Sequence, residues 1–120
     1  MAIDYYIENK CVITTGIDDI TFQDLLKFQQ CIAADQSFRS DFNELVNFTQ
    51  ATTKELSPED LKALANISPF GHGSKRAFIM PNDLSFGLSR MYRVFQEPNG
   101  AVVSVFRTVL EANAWLSKHP

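Results

Sequence analysis

The residues with the most chemical promise lie together in "SPFGHGSKR", positions 68–76, where two glycines flank a histidine and a serine and two basic residues follow. That composition suits a loop that grips an anion through backbone N–H groups. A nucleotide-binding phosphate loop, however, needs Gly-Lys-Ser/Thr in that order, after a strand and at the start of a helix. Here "GHGSK" reverses the order and leads into the apolar run "RAFIM". What survives is a smaller anion site, a nest of N–H groups around Gly71, His72 and Gly73 beside Lys75 and Arg76. Its plainer counterpart is a corner in which the glycines supply positive-φ turns and the basic pair is solvated.

Other chemistries find fewer residues. His72 could act as a general base, but no Ser, Cys or Asp stands near it in an elbow or triad motif, and a loop histidine in solvent is the simpler reading. The second histidine, His119, belongs to the terminal tail. Cys11 and Cys31 lack the paired spacing of a zinc or redox site, and both sit in hydrophobic runs, which predicts buried, inert thiols. No catalytic residue, metal or cofactor is therefore expected. In "SRMYRVF", residues 89–95, Arg90 and Arg93 share a helix face next to an apolar stripe, a candidate surface for an acidic partner that Lys75 and Arg76 could extend. Among ten phenylalanines, Phe38, Phe70 and Phe86 are candidates to line a ligand pocket or a dimer surface.

The elements that would position these groups can be read from periodicity. "IDYYIE" and "CVITTGI", separated by "NK", predict an antiparallel hairpin. Thr21 opens a helix over 21–35 with Phe22, Leu25, Leu26, Gln29, Ile32 and Ala33 at helical spacing. "ELVNFTQ", residues 44–50, reads as a strand with Leu45, Val46 and Phe48 in the core. Ser57-Pro58 with Asp60 starts a second helix that Pro69 stops. "RAFIM" predicts a strand buried on both faces. Asn82 or Asp83 caps a third helix whose Leu84, Leu88, Met91, Tyr92 and Phe95 form its expected buried stripe, with Gly87 allowing another backbone to approach. "EPNG" is a turn, "AVVSVFR" a strand, and Thr108 with Glu111 opens a last helix carrying Val109, Leu110, Ala114, Trp115 and Leu116. The order β-β-α-β-α-β-α-β-α demands crossovers, so the class is α/β: a mostly parallel sheet led by one antiparallel hairpin.

A chain of 120 residues has room for one domain with a real hydrophobic core, here residues 1–120. With 45% hydrophobic residues and 21% charged it is globular in composition, and its net charge of -3 supplies no general attraction to nucleic acid or anionic membrane. No run approaches the roughly 18 apolar residues of a membrane span, and the acidic start "MAIDYYIENK" does not read as a signal peptide. A cytoplasmic setting follows as the expectation.

With these elements in place, "IDYYIE", "LSPEDLKALANISPFGHGSKRAF", "PNDLSFGLSRMYRVF" and "VFRTVLEANAWL" together resemble the SpoIIAA-like family, bacterial proteins related in fold to the STAS domains of anti-sigma-factor antagonists and to Sec14-type lipid-binding domains. The resemblance runs over nearly the whole chain and implies a five-stranded mixed sheet with about four helices. In STAS switches a phosphorylatable serine stands at a helix start within an Asp-Ser-x-Gly-like motif. Ser57 matches the serine but lacks the preceding Asp and the glycine, and Glu55, Glu59 and Asp60 would repel a phosphate there, so a capping role ranks first. The functional expectation is a non-enzymatic regulatory or protein-interaction module, homodimeric through a helix surface that includes Phe86 or Gly87, with a regulatory protein as a further partner. The alternative is a pocket between sheet and helix for an apolar small molecule or lipid.

Overall fold

The computed structural model describes residues 2–118, and His119 lies outside them. The chain forms β1 (Ile3–Glu8), β2 (Cys11–Asp19), α1 (Phe22–Ala34), β3 (Asn43–Thr52), α2 (Pro58–Asn66), β4 (Lys75–Ile79), α3 (Asp83–Gln96), a short 3-10 turn (Glu97–Asn99), β5 (Val102–Phe106) and α4 (Val109–Ser117). One five-stranded sheet runs β1-β2-β3-β4-β5, with β1 antiparallel to β2 and every other neighbouring pair parallel. Because each parallel strand is added on the same side of the last, right-handed crossovers must carry α1, α2 and α3 over one face. There Phe28, Ile32, Leu61, Leu64 and Tyr92 close the main core over Val12, Val46, Phe48, Phe78 and Val103. Among the described residues the second face holds α4 alone, packed through Ala112, Trp115 and Leu116 on Ala77, Ile79 and Phe106.

The helix starts follow local chemistry. The Thr21 side chain accepts from Asp24 N–H while Asp24 accepts from Thr21 N–H, and Ser57 and Asp60 repeat the arrangement at α2, so each cap satisfies two otherwise orphaned donors. Of the two candidate caps for α3, it is Asn82 that accepts from Ser85 N–H.

Gly16 marks the tightest approach in the sheet, where the β2–β3 register shifts between Thr15 and Ile17. A Cβ on Gly16 would lie 2.6 Å from the ring of Phe48, itself 5% exposed and held in the core. Gly16→Ala is accordingly expected to lose about 1–3 kcal/mol through overpacking. A urea melt reads this directly, and an unchanged midpoint would contradict the geometry.

Several expectations are corrected. Helix α3 buries only part of its expected stripe: Tyr92 is buried and Leu88 and Phe95 pack half-buried against the core, but Leu84 is 59% exposed and Met91 41%, and Ser85, Ser89 and Gln96 are turned inward in their place. No atom of the described residues beyond its own helix and neighbours comes within 4 Å of a Cβ placed on Gly87, so this glycine admits no other backbone among them. On α4, Leu110 is 81% exposed and Ala114 also faces solvent. Phe38 and Phe70 are core residues, at 9% and 2% exposure, and only Phe86 stays half-buried at the surface. Neither cysteine is fully buried: Cys31 is exposed and Cys11 half-buried, its thiol pushed up to about 11 by burial and by the Glu44 carboxylate nearby.

Candidate functional site

The alternation of β4 divides the two cations that the sequence sets side by side. Lys75 points to the α4 face, where Nζ donates to the carbonyls of Trp115 at 2.8 Å and Lys118 at 3.0 Å and lies 4.6 Å from the centre of the Trp115 ring. Such a contact suits the negative end of the α4 dipole. Arg76 points the opposite way, into the main core, and is 4% exposed. The loop before them spends most of its donors internally. Phe70 N–H goes to Ser68 Oγ, Gly71 N–H to the Ser40 carbonyl, Ser74 N–H to the Gly71 carbonyl and Lys75 N–H to Asn43 Oδ1. Gly73 takes a φ of +87°, which glycine alone adopts without strain, whereas Gly71 does not need one. His72 is exposed, with its ring set against Gly100, where a Cβ would meet it at 2.9 Å. Gly71, His72 and Gly73 thus form a structured corner, and Lys75 and Arg76 leave it in opposite directions.

Where Arg76 arrives is the most unusual environment in the molecule. Its neighbour in register on β3 is Glu44, 0% exposed, and Arg76 Nε donates to Glu44 Oε1 at 2.9 Å. Thr14 on β2 donates to the second carboxylate oxygen at 2.9 Å. From α3, Tyr92 Oη and Gln96 Oε1 accept from Arg76 Nη1 at 2.7 and 2.9 Å, and Tyr92 Oη donates onward to Gln96 Oε1 at 2.8 Å. The guanidinium lies 4.3 Å from the centre of the Phe70 ring, 5.2 Å from Phe78 and 5.3 Å from Tyr92. Burial opposes the arginine charge, but Tyr92 and Glu44 more than offset it, so its pKa is held above the ordinary value. A buried ion pair is tolerated only when its remaining hydrogen-bonding capacity is met. Here that is nearly the case: Nε and Nη1 make the bonds, and Nη2 makes none among the described residues.

Beside this cluster, between the sheet and α1, α2 and α3, lies a cavity of about 70 Å³. Phe28, Val46, Phe48, Leu61, Leu64 and Leu88 make most of its wall apolar, and Thr14, Gln29, Glu44, Thr53, Arg76, Ser89 and Tyr92 add polar groups. Gln29 Nε2 donates to the Leu64 carbonyl at 3.2 Å, tying α1 to α2 along the wall. Among the described residues, Thr53 Oγ1 is buried on this wall without a hydrogen-bond partner, and Gln96 Nε2, in the adjoining cluster, is likewise unpartnered. Groups of this kind ordinarily find a partner in protein or in something bound.

The remaining sequence candidates are separate from this site. Arg90 and Arg107 both stack on Phe86, at 5.0 and 4.4 Å from the ring centre, and Arg107 pairs with Asp83 at 2.6 Å, so Phe86 is covered by cations. Arg93 lies farther along α3 at a shallow groove with Glu97 and Gly100–Val103. Ser57 is engaged in its cap as described. Among the described residues no cluster of three or more His, Cys, Asp or Glu could hold a metal ion, and no helix is long and apolar enough to cross a membrane. Sequence reading missed Glu44, Thr14, Thr53 and the inward face of α3. Two signals pointed to Glu44 and to α3: a lone charge inside the apolar strand "NELVNF", and Ser85, Ser89, Tyr92 and Gln96 repeating at intervals of four, three and four; nothing local marked Thr14 or Thr53.

No family model matches the chain, and no curated protein matches it. Among solved structures, it is similar to an uncharacterised protein of the DUF3478 family with a SpoIIAA-like fold from Shewanella loihica PV-4, at 16% identity and a TM-score of 0.58, over 96% of this chain and 92% of that one. That likeness establishes a SpoIIAA-like fold, in agreement with the resemblance read from the sequence. A fold does not bring an activity with it.

Proposed function

We propose that this protein is a non-enzymatic binding module whose cavity takes a small, mostly apolar molecule bearing one uncharged polar group. The observation that carries the reading is the rotation of α3, which turns Ser85, Ser89 and Gln96 inward beside Tyr92 and leaves Leu84, Met91 and Val94 in solvent. Such a face sacrifices apolar burial, at roughly 25 cal/mol per Å², for hydrogen-bonding groups beside a cavity. The charge balance selects the ligand class. Arg76 is already neutralised by Glu44, so a carboxylate or ammonium would enter a low-dielectric site as an uncompensated charge. An alcohol or carbonyl oxygen could instead accept from Arg76 Nη2 and bond with Thr53 Oγ1. At about 70 Å³ the cavity has roughly half the ~150 Å³ that holds benzene, so a ligand of a few non-hydrogen atoms fits without movement and a larger one requires α2 to shift. A regulatory role follows if occupancy biases α3, because the same helix lines the cavity and carries the exposed stripe.

Backbone and methyl NMR of the intact protein, titrated with 1-butanol and separately with butanoate, tests this. Butanol is expected to shift resonances of Thr53, Leu64, Leu88 and Ser89 saturably, butanoate to leave them in place, and Ser89→Leu, which fills the cavity, to weaken the butanol response at least tenfold. Equal response to both compounds, or shifts confined to the surface, would reject the proposal.

A further inference from the structure

We infer that the outer edge of β5 is a self-pairing surface, joining two copies of this chain about a two-fold axis at Ser104. The two edges of the sheet differ in kind. Edge strand β1 carries exposed Asp4 and Glu8, charges of the type that deter pairing, whereas β5 reads "VVSVF", with no charge, proline or bulge. Val102 N–H donates to the Ser74 carbonyl and the Phe106 carbonyl accepts from Met80 N–H, so the even positions of β5 face inward to β4. By the alternation of a parallel ladder, Val103 and Val105 direct their N–H and C=O groups outward, where the described residues supply no further strand.

Those two residues select one register. Placing Val103 opposite Val105 of the partner subunit lets each pair exchange both backbone hydrogen bonds, and sets Ser104 opposite Ser104 of the partner subunit on the axis. Val102, 56% exposed on the α4 face, then lies against Phe106 of the partner subunit. The helices agree with this arrangement. Helix α3 straddles β4 and β5, contacting Arg76 and Phe78 on one strand and packing over the other. With strands about 4.8 Å apart, two such helices flanking the axis stand about 10 Å from each other, the spacing of packed helices, at ~8–10 Å. The side of α3 turned toward this edge carries Phe86, whose ring Arg107 stacks on just beyond β5, and Arg93, which lines a groove with Val102 and Val103. Antiparallel apposition also opposes the helix dipoles. The second copy is thus specified by backbone polarity and by helix spacing, and the inference is independent of what the cavity binds.

Sedimentation velocity of the full chain is expected to give twice the chain mass. Val105→Pro, which removes an outward N–H at an edge position where proline is admissible, is expected to weaken association at least a hundredfold. A site-specific crosslink tests the register: in a Cys31→Ser background, Ser104→Cys treated with copper-phenanthroline should form a covalent dimer on non-reducing gels. Residues facing across a non-hydrogen-bonded pair stand ~4.5 Å apart at Cα, within disulfide range. Ser117→Cys in the same background should form none. A monomeric wild-type chain overturns the inference, and so does a dimer that Ser104→Cys fails to trap. If Val105→Pro proves unfolded by circular dichroism, the crosslink alone decides.

Discussion

Arg76→Met is expected to destabilise the fold by about 3–5 kcal/mol, because it leaves the Glu44 carboxylate, 0% exposed, without its cation. The loss does not stop at the ion pair. Tyr92 Oη and Gln96 Oε1 also lose the donor that gathers them, and a buried acceptor left unpaired costs roughly 1–3 kcal/mol. Two further variants separate the causes. Glu44→Gln in the Arg76→Met background removes the stranded charge while keeping an acceptor for Thr14, and should recover at least half of the lost stability. Glu44→Gln alone leaves a buried arginine uncompensated and should be nearly as damaging as Arg76→Met. Urea unfolding of the three variants and the parent forms a double-mutant cycle, and additive losses would show that the two residues do not act as a pair.

Phe70→Ala is expected to cost a further ~3–5 kcal/mol on its own, in the range for deleting a buried aromatic side chain. Phe70 is 2% exposed and joins two parts of the molecule that the sequence separates. Its ring meets Phe38 edge-on at 5.1 Å between centres, and Arg76 lies 4.3 Å above it. Phe70→Leu keeps most of the volume and loses the π face, so the difference between Leu and Ala measures packing, while the difference between Phe and Leu, about 1–2 kcal/mol, measures the cation contact and the ring pair. A negligible loss for Phe70→Leu, with the full loss in Phe70→Ala, would mean that the aromatic face contributes nothing beyond its bulk.

These two residues also locate the boundary of sequence reasoning. The hairpin, all four helices, the order of elements along the chain and both Thr21 and Ser57 caps were legible, since each depends on residues a few positions apart: periodicity, a hydroxyl three residues before an acid, a proline that stops a helix. The strand "RAFIM" was legible as buried on both faces because its neighbours are apolar throughout. The site was not. Lys75 and Arg76 look alike in sequence, and their division between opposite sides of the sheet is a consequence of strand alternation once β4 is fixed between β3 and β5. Likewise Met91 and Tyr92 are adjacent on α3, and which of them faces the sheet depends on a rotation of the helix that Arg76 and Glu44 set.

What the sequence determined by itself is therefore local in origin: the α/β class, the elements and their ends, and a resemblance that the SpoIIAA-like fold agrees with. What only the tertiary structure decided is non-local. Glu44 and Arg76, 32 residues apart, become neighbours through strand register, and their pairing turns the polar face of α3 inward. The physical reason is the cost of burying charge. Once topology places Arg76 in the core, it must be surrounded by acceptors, and α3 supplies them at the expense of its own apolar stripe. The phosphate-like loop that stands out in the sequence becomes a corner, and the site lies one side chain farther along the chain, on the inner face of the sheet.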